Sequence, residues 1–404
     1  MKKSIHITNY TYGGTGRAVY RIANSVAGEV VSTFPSIREL GSKRLVGTCL
    51  NRISYEADRL NRRRMMAPEV HQEYTYLGTV KHYTGIETLI NLERFDVIHL
   101  HGITESLWNA DFFELVKSSK KKVIWTLHDM WAFTGGCHYS DKCVNYLTGC
   151  HDCRIYKEHY KEEAEKNVAE KIKVFCELPI TLVGCSKWIT TTAEESYIIN
   201  ESRIPCVNIP NPTEPDTFFI EDKVEARRRL GLPLEKNIIV AGAMALNTTP
   251  RKGANYLFDA LNKVRTDNVV LCCFGRRADI KEKLPDNVEY IDFGAINDDF
   301  ILSGLYSAAD MVVAPSLQEN FAGTVLEPLT VGTPVVAFDI GGMPDMIING
   351  VTGYLAKPFD VDDLAIKIDE AFDNKWDKSG IRDVILKKCA PNVVGAQYMK
   401  LYEE

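Results

Sequence analysis

The sequence predicts an α/β protein built from two doubly wound domains. Two observations lead to this prediction: short apolar runs alternate with segments long enough for helices, and a proline-rich stretch at 203–218 divides these runs into two series. Apolar runs of this kind are typical of buried parallel strands. With 404 residues, the chain is also longer than a single hydrophobic core usually supports.

The two series of predicted strands define the domains, at 1–205 and 219–388. The first series comprises SIHIT (4–8), DVIHLHG (96–102), KKVIWTLHD (121–129) and PITLVGCS (179–186). The second comprises NIIVAGA (237–243), NVVLCCFG (268–275), VEYIDFGA (288–295), MVVAPS (311–316) and TPVVAFD (333–339). The prolines disfavour a sustained helix, so 206–218 is interpreted as a linker. A terminal helix is expected at 389–404, packed back on the N-terminal domain.

Composition argues against several classes of protein. The net charge of −6 gives no reason to expect a nucleic-acid partner, which needs a strongly basic face. The N-terminal MKKSIHITNY lacks the apolar region of a signal peptide, and no run reaches the length of a transmembrane helix. We therefore expect a cytoplasmic protein. Peripheral contact with the inner face of the membrane, through LNRRRMM (60–66), competes with the interpretation of that run as a solvated helix face.

A glycine-rich turn follows the first predicted strand, in NYTYGGTGRAVYRIA (9–23). Glycines such as Gly14 let backbone N–H groups approach an anion at a helix start. A dinucleotide site is a poor alternative, because its third glycine would fall at Val19 and no carboxylate ends the second strand near 29–34. A tight turn without a ligand is the other alternative.

A basic pair, Arg251 and Lys252, precedes Gly253 and a helical pattern in the second domain. A guanidinium and an ammonium group together suit a pyrophosphate and stabilise charge on a departing group. The competing interpretation is an exposed basic pair before a helix.

Two glutamates lie in PSLQENFAGTVLEPLTVGTPVVAFD (315–339). Glu319 falls in the loop after a strand, where it can accept hydrogen bonds from sugar hydroxyls. Glu327 falls inside a helix expected to begin near Ala322, where it can accept from the hydroxyls of a ribose. Compensation of the helix dipole does not explain both carboxylates. Pro328 predicts that the helix starts later or kinks.

Three histidines, His99, His101 and His128, fall near strand ends. Each can bind a sugar or phosphate, or be a satisfied core residue. His128 differs from the others because Asp129 and a polar, glycine-containing loop follow it.

That loop carries four of the 11 cysteines in a predicted insertion at 135–155. They are Cys137, Cys143, Cys150 and Cys153, in the pattern C-x5-C-x6-C-x2-C. Thiolates in this number suit a tetrahedral structural zinc site, which would fix an excursion expected to have no core of its own. Unpaired thiols and disulfides are the alternatives.

These motifs together resemble the retaining glycosyltransferases of family 4, which have the two-domain GT-B fold. The motifs that carry the resemblance are Glu319-x7-Glu327, GGTGRA, PRKG, GCSKW (184–188) and IPNPTEPDTF. The loop HDMWAFTGGCHYSDKC narrows it to the branch that assembles colanic acid and other polysaccharides. The chain departs from the family in GAMAL (242–246), where many members have an arginine, and in NPTE, where the linker commonly reads N-G-V-D.

The resemblance implies a fold of two Rossmann-like domains facing an interdomain cleft, and a role for each site residue. Glu319 and His128 would contact the donor sugar, and Glu327 the ribose. Arg251 and Lys252 would bind the pyrophosphate. The remaining donor-binding positions would be Gly14, Asn320, Phe321, Ala322 and Gly323.

The implied reaction is hexosyl transfer from a UDP- or GDP-sugar to a hydroxyl of a growing, lipid-linked or other glycan acceptor. The anomeric configuration is retained, and no catalytic metal is needed. An epimerase or phosphorylase of the same fold is one alternative. A zinc-stabilised protein that binds a nucleotide sugar without turning it over is another.

Overall fold

The computed structural model describes residues 2–34, 60, 64–67, 91–104, 107–242, 249–275 and 284–404. Two compact units are present, the first made of Met1–Asn211 with Val394–Glu404 and the second of Pro212–Val393. Within the described ranges, no helix is both long and apolar enough to cross a membrane. Residues 61–63 of the arginine-containing run lie outside the described residues.

The first unit contains a six-stranded parallel sheet in the order β2-β1-β3-β4-β5-β6. Its strands are Ser4–Tyr10 (β1), Glu29–Phe34 (β2), Val97–Leu100 (β3), Lys122–Leu127 (β4), Ile180–Gly184 (β5) and Cys206–Asn208 (β6). Its helices before residue 211 are Gly13–Ser25 (α1), Ala110–Ser119 (α2), Glu162–Glu177 (α3), Lys187–Glu194 (α4) and Tyr197–Ser202 (α5). Side chains of Asn109, Ser186 and Ser196 cap α2, α4 and α5 by accepting backbone N–H groups.

The second unit contains another six-stranded parallel sheet, in the order β12-β11-β10-β7-β8-β9. Its strands are Asn237–Gly242 (β7), Val269–Phe274 (β8), Glu289–Asp292 (β9), Met311–Ala314 (β10), Val335–Phe338 (β11) and Gly353–Ala356 (β12). The helices that follow residue 211 are Lys223–Leu230 (α6), Ala254–Leu261 (α7), Asp299–Ala308 (α8), Gly323–Thr330 (α9), Val361–Asp373 (α10), Lys378–Cys389 (α11) and Pro391–Glu403 (α12). Aspartates 222, 298 and 360 cap α6, α8 and α10.

The last helix, α12, belongs to the first unit from Val394 onward. It packs against one face of the first sheet, because Val394, Tyr398, Leu401 and Tyr402 share a buried cluster with strand residues of β3, β4 and β5. The opposite face of that sheet carries a larger apolar core, which includes alternate residues of β1, β3 and β4. Since residues two apart in a strand share a face, these strands divide their side chains between two cores.

The predicted α/β class with two doubly wound parallel sheets is confirmed. Every apolar run that predicts a strand forms one, with ends that differ by a few residues. The segment predicted as a linker at 206–218 opens with β6, which pairs with β5, and the two units divide between Asn211 and Pro212. β12, at Gly353–Ala356, was not predicted.

Candidate functional site

The strand order of the second sheet determines where a ligand can fit. β7 and β10 are neighbours at the centre, and the chain leaves them toward opposite edges of the sheet. Loops that follow two such strands diverge and leave a crevice at the carboxyl edge. The turn Pro250–Lys252 comes after β7 and the loop at 315–322 comes after β10. The predicted basic pair and Glu319 therefore lie on the two loops of one topological switch point.

Glu319 is paired with both cations of the basic pair. The Nζ atom of Lys252 lies 2.5 Å from Oε2 of Glu319, and Nη1 of Arg251 lies 3.3 Å from the same oxygen. Arg251 also donates to the carbonyl oxygen of Gln318 at 2.8 Å. The hydroxyl of Ser316 donates to Oε2 of Glu319 at 3.4 Å. The Glu319 side chain is only 10% exposed, so this contact is partly shielded from water.

The two cations keep Glu319 ionised. Burial by itself would raise the pKa of this carboxyl group, but the nearby Lys252 and Arg251 outweigh burial and hold the pKa below its usual value. One carboxylate thus faces two positive charges. A diphosphate would offer the same cations more negative charge than this single carboxylate does.

Gly253 brings the two loops of the switch point together. It has a φ of 70°, and a Cβ at this position would lie 1.8 Å from the carbonyl oxygen of Pro315. The backbone N–H of Leu317 donates to the carbonyl oxygen of Arg251 at 2.7 Å. Only glycine fits both this close approach and this backbone conformation.

Two glycines in the loop after β11 hold the backbone of Glu319. Gly341 has a φ of 52°, and a Cβ there would lie 2.0 Å from the carbonyl oxygen of Glu319. The N–H of Gly342 donates to that same oxygen at 3.2 Å. Three loops of the second sheet therefore fix the position of Glu319.

Glu327 lies inside α9, and its side chain turns back toward the start of that helix. Its residue is 4% exposed, and the Tyr306 hydroxyl donates to Oε2 at 3.5 Å. Oε1 lies beside Gly323, where a Cβ would come within 3.2 Å of it. The N-cap, Ala322, offers no side-chain acceptor to the first turn. The other predicted donor-binding positions beside this turn are Asn320, which is buried, and Phe321, which is partly buried.

Pro328 does not delay the start of the helix, contrary to one expectation. α9 begins at Gly323 and contains Pro328. The proline removes one helical N–H donor, yet the carbonyl oxygens near the end of the helix are used: Glu327 accepts from Val331 at 3.2 Å, and Pro328 accepts from Thr333 at 2.9 Å. In an eight-residue helix, the missing bond is offset by these closing turns.

Gly14 lies in the first turn of α1, in the first unit. A Cβ at Gly14 would meet nothing within 4 Å, whereas a Cβ at Gly16 would lie 2.3 Å from the carbonyl carbon of Thr11. Gly16 is therefore required for packing, and the space beside Gly14 is open. The turn follows β1, which with β3 forms the switch point of the first sheet.

His128 and His101 meet at the carboxyl ends of β4 and β3. Nε2 of His128 lies 3.1 Å from Nδ1 of His101. Burial lowers the pKa of His128 to about 4, although Asp129 acts in the opposite direction. Asp129 is itself engaged, because it accepts the Trp131 N–H at 2.8 Å and its Oδ2 lies 2.8 Å from Nδ1 of His138. A small cavity next to this pair is lined by residues 101–104, 125–129 and 131–132.

The four clustered cysteines are free thiols in one region of the first unit. Burial raises the pKa of Cys137, and the nearby Cys143, Cys150 and Cys153 raise it further. The N–H of Gly135 donates to the sulfur of Cys150 at 3.1 Å. Cys137 and Cys150 belong to the main core of the unit, so the insertion packs into that core.

The sulfur atoms are not as close as in a closed zinc site. Among the described residues, only one group of three or more candidate ligands has all its ligand atoms within 4.8 Å of one another. That group is His6, His99 and His101, and it contains none of the four cysteines. A tetrahedral zinc site with bonds of about 2.3 Å requires sulfurs closer than that.

The predicted site residues are thus divided between the two units. Arg251, Lys252 and Glu319 are in contact in the second unit, and Glu327 lies in the helix that follows. Gly14 and His128 lie in the first unit. His6 was not predicted as a site residue, although SIHIT places it on one strand face with two other polar residues, Ser4 and Thr8. Gly341 and Gly342 were not predicted either, although a glycine pair after a predicted strand was a signal.

Known proteins show similarity to this chain in sequence and in structure. Residues 235–374, which include the basic pair and both glutamates, match the family described as "Glycosyl transferases group 1". An uncharacterized glycosyltransferase of Methanocaldococcus jannaschii is 26% identical, over 76% of this chain and 72% of its own length. A putative colanic acid biosynthesis glycosyl transferase of Escherichia coli, WcaC, is 27% identical, over 60% of this chain and 59% of its own length. The D-inositol 3-phosphate glycosyltransferase of Mycobacterium sp. strain KMS is 30% identical, over 44% of this chain and 42% of its own length.

Solved structures share the fold over the whole chain. A glycosyltransferase from Rickettsia africae has a TM-score of 0.64 at 17% identity, and covers 100% of this chain and 98% of its own. Anabaena HepE, solved in complex with UDP and glucose, has a TM-score of 0.61 at 16% identity, with both chains fully covered. Residues 235–374 are thus similar to the group 1 glycosyltransferases, and the two parallel sheets have the GT-B fold.

Proposed function

We propose that this protein is a retaining hexosyltransferase of family 4, which moves a sugar from a nucleotide-diphosphate donor to a hydroxyl of a growing glycan. The observation that carries the proposal is the contact of Lys252 and Arg251 with Glu319 at the switch point of the second sheet. In an α/β sheet this is the place for a nucleotide, and paired cations there suit a diphosphate. The likeness to HepE, whose structure holds UDP and glucose, supports a UDP-sugar as the first donor to test.

Glu319 occupies the cations while no donor is bound. A diphosphate would compete with this carboxylate for Lys252, because it carries more charge and more acceptor oxygens. The displaced carboxylate would then accept hydrogen bonds from sugar hydroxyls. Lys252 and Arg251 would stabilise the charge that builds on the departing diphosphate, which is the main electrostatic demand of the reaction.

The acceptor is proposed from the relatives. The similarity to a putative colanic acid biosynthesis enzyme, and to WaaG, described as involved in lipopolysaccharide biosynthesis, supports a lipid-linked or other glycan acceptor. A peripheral contact with a membrane surface belongs to the same proposal, since a lipid-linked glycan is held there.

We further propose a structural zinc ion at Cys137, Cys143, Cys150 and Cys153. The grouping of four thiols and the N–H donor to Cys150 support it. The sulfurs would have to draw together on binding, because they are wider apart than in a closed site. This ion has no role in the proposed transfer.

Release of UDP from UDP-glucose, measured with and without a glycan acceptor, tests the proposed activity. We expect release that depends on the acceptor, and a product whose anomeric configuration, read by NMR, equals that of the donor. Turnover that depends on phosphate would instead indicate a phosphorylase. Release of UDP together with a free sugar would indicate an epimerase. Binding of UDP-glucose without turnover would indicate a binding protein.

Lys252→Met provides the matched test of the site. We expect it to reduce turnover by at least about a hundredfold, because it removes one cation from the departing diphosphate. Lys263→Met, at an exposed lysine paired with Asp362, should leave turnover unchanged. Equal activity of the two variants would refute the assignment of the diphosphate site.

A further inference from the structure

A stripe of polar side chains crosses one face of the first sheet. Alternate positions of three neighbouring strands, β1, β3 and β4, and of the turns after them supply it. Its members include Ser4, His6, His99, His101, Thr126 and His128. All of these are buried except His128, which is partly exposed and lies beside the small cavity at the strand ends.

Four of these side chains form one continuous row of hydrogen bonds. The Ser4 hydroxyl lies 3.1 Å from Nε2 of His6, and Nδ1 of His6 lies 2.9 Å from Nε2 of His101. Nδ1 of His101 lies 3.1 Å from Nε2 of His128. The row therefore runs from the interior of the sheet to His128, and uses both ring nitrogens of each buried histidine in it.

All three imidazoles of the row are neutral near pH 7. Burial lowers the pKa of His6 to about 3, lowers that of His101 well below its usual value, and lowers that of His128 to about 4. A neutral imidazole has one N–H group and one lone pair. Each ring therefore donates a hydrogen bond to one neighbour in the row and accepts one from the other neighbour. The tautomer of one histidine then determines the tautomers of the other two.

Cys185 determines the direction of the row. Its S–H group donates to the carbonyl oxygen of Leu127 at 3.2 Å, so its sulfur is left to accept. That sulfur lies 3.9 Å from Nδ1 of His128, so a hydrogen bond between them places the proton on Nδ1. Nε2 of His128 therefore accepts from His101, His101 accepts from His6, and His6 accepts from the hydroxyl of Ser4.

We infer that His6 and His101 hold His128 in its Nδ1–H tautomer, so that His128 meets an oxygen of the substrate as a hydrogen-bond donor, with His101 as its positioning residue. A sugar hydroxyl or phosphate oxygen would replace the distant sulfur of Cys185, which is a weak acceptor. The role toward substrate rests on the proposed glycosyl transfer. The tautomer itself does not.

Three buried histidines of the stripe, His6, His99 and His101, are close enough to one another to be metal ligands. The geometry favours the hydrogen-bonded row, because each ring nitrogen already has a protein partner. The nitrogens of His99 lie 2.7 Å from the Tyr402 hydroxyl and 2.7 Å from that of Thr126. A metal would have to displace these partners in a neutral, buried site.

Long-range proton–nitrogen correlation spectra of the full-length protein, labelled with 15N-histidine, test the inference. These spectra separate protonated from unprotonated ring nitrogens. His128→Gln assigns the His128 signals, and His159→Gln, at an exposed histidine, is the control that should leave them unchanged. We expect His128 of the unaltered protein to be protonated on Nδ1. Protonation on Nε2, or signals typical of a metal-bound ring at His6 or His101, would overturn the inference.

Two substitutions of His101 separate positioning from packing. In His101→Asn the amide nitrogen can take the place of Nδ1 as donor, so His128 should keep its tautomer. In His101→Leu the donor is lost, so the Nε2–H form of His128 should appear. The inference fails if a folded His101→Leu protein shows the wild-type His128 signals.

Turnover of UDP-glucose adds a readout that depends on substrate. We expect kcat to fall by about tenfold in His101→Leu, with KM little changed, and to recover in part in His101→Asn. If the unaltered protein shows the expected tautomer but no transfer to any acceptor, the proposed function fails and the inference about the tautomer stands. If transfer occurs but kcat is the same in both variants, the role of the tautomer in catalysis is refuted.

Discussion

At the scale of single residues, Lys252 and Glu319 compensate each other's charge in a site that is partly shielded from water. The ammonium and carboxylate groups are in contact, and their side chains are 20% and 10% exposed. A buried charge that loses its partner costs far more than a pair that is removed together.

We therefore predict that Lys252→Met lowers the free energy of unfolding by about 1–3 kcal/mol, because Arg251, at the longer distance, is then the one cation of the basic pair that still contacts Glu319. Lys252→Met/Glu319→Gln should recover most of this loss and remain inactive. Denaturant unfolding of the three proteins measures the effect. A double variant that is as unstable as the single variant would show that the ion pair is not the cause.

The residues that the sequence could identify are those whose chemistry is local. Arg251, Lys252 and Glu319 each follow a recognisable strand, so their charge and position were enough. The partners of His99 could not be identified, because the Tyr402 hydroxyl comes from a position 303 residues further along the chain. Local sequence rules also did not predict that α9 begins at Gly323 and contains Pro328.

At the scale of elements, the candidate site depends on how closely the loop after β7 approaches the loop after β10. Gly253 is the point of contact, and Gly231 offers a matched comparison. Both have a φ near 70°, but a Cβ at Gly231 would meet nothing within 4 Å. Any difference between alanine variants at these two positions therefore reports the contact with Pro315 alone.

We predict that Gly231→Ala costs about 1 kcal/mol of unfolding free energy, from backbone strain, and that Gly253→Ala costs more. Gly253→Ala should also weaken the binding of UDP-glucose, because the loops must move apart. Calorimetric unfolding and titration with UDP-glucose measure the two effects. Equal stability and equal affinity in the two variants would contradict the steric account.

The position of the cysteine loop could be predicted from the sequence, but its packing against the rest of the first unit could not. Carbonyl groups at its start accept hydrogen bonds from α3, because Lys171 donates to the carbonyl oxygen of Thr134 at 2.8 Å and Asn167 to that of Gly135 at 3.0 Å. This packing partner is distant in sequence from the start of the loop, so the need for a metal was inferred from the thiols alone.

We predict about one zinc ion per chain in protein purified without chelators, measured by elemental analysis. Cys150→Ser should remove the metal and lower the unfolding temperature, because a structural ion stabilises the state that binds it. Cys176→Ser, at an exposed cysteine outside the cluster, should do neither. Metal-free protein that unfolds at the same temperature with and without added zinc would refute the site.

At the scale of the whole molecule, the first unit is completed by the end of the chain. Four large side chains of α12 are buried against the first sheet, and the hydroxyls of Tyr398 and Tyr402 bond to Thr126 and His99. The class of the fold could be predicted because it depends on strand and helix periodicity. The return of the last residues to the first sheet is a long-range contact that periodicity does not specify.

We predict that ending the chain at Val393 destabilises the first unit by about 4 kcal/mol or more, since each large apolar side chain contributes about 1.5–3 kcal/mol on burial. Hydrogen exchange should show that amides of β1, β3 and β4 lose protection while those of β7, β10 and β11 keep it. Lys400→Ala, at an exposed position of the same helix, should change neither group. Loss of protection that is equal in both sheets would contradict this division.

The place of α12 also has a consequence for synthesis. When residue 211 leaves the ribosome, one face of the first sheet can be covered by α1 but not yet by α12, and the whole second unit must be made before α12 is available. At about 5–20 residues per second, this delay is roughly ten seconds or more. A nascent chain must survive that interval with apolar strand residues uncovered, and a prematurely terminated copy never leaves it. Residues 394–404 thus set the moment at which the apolar strand residues of this face become fully covered.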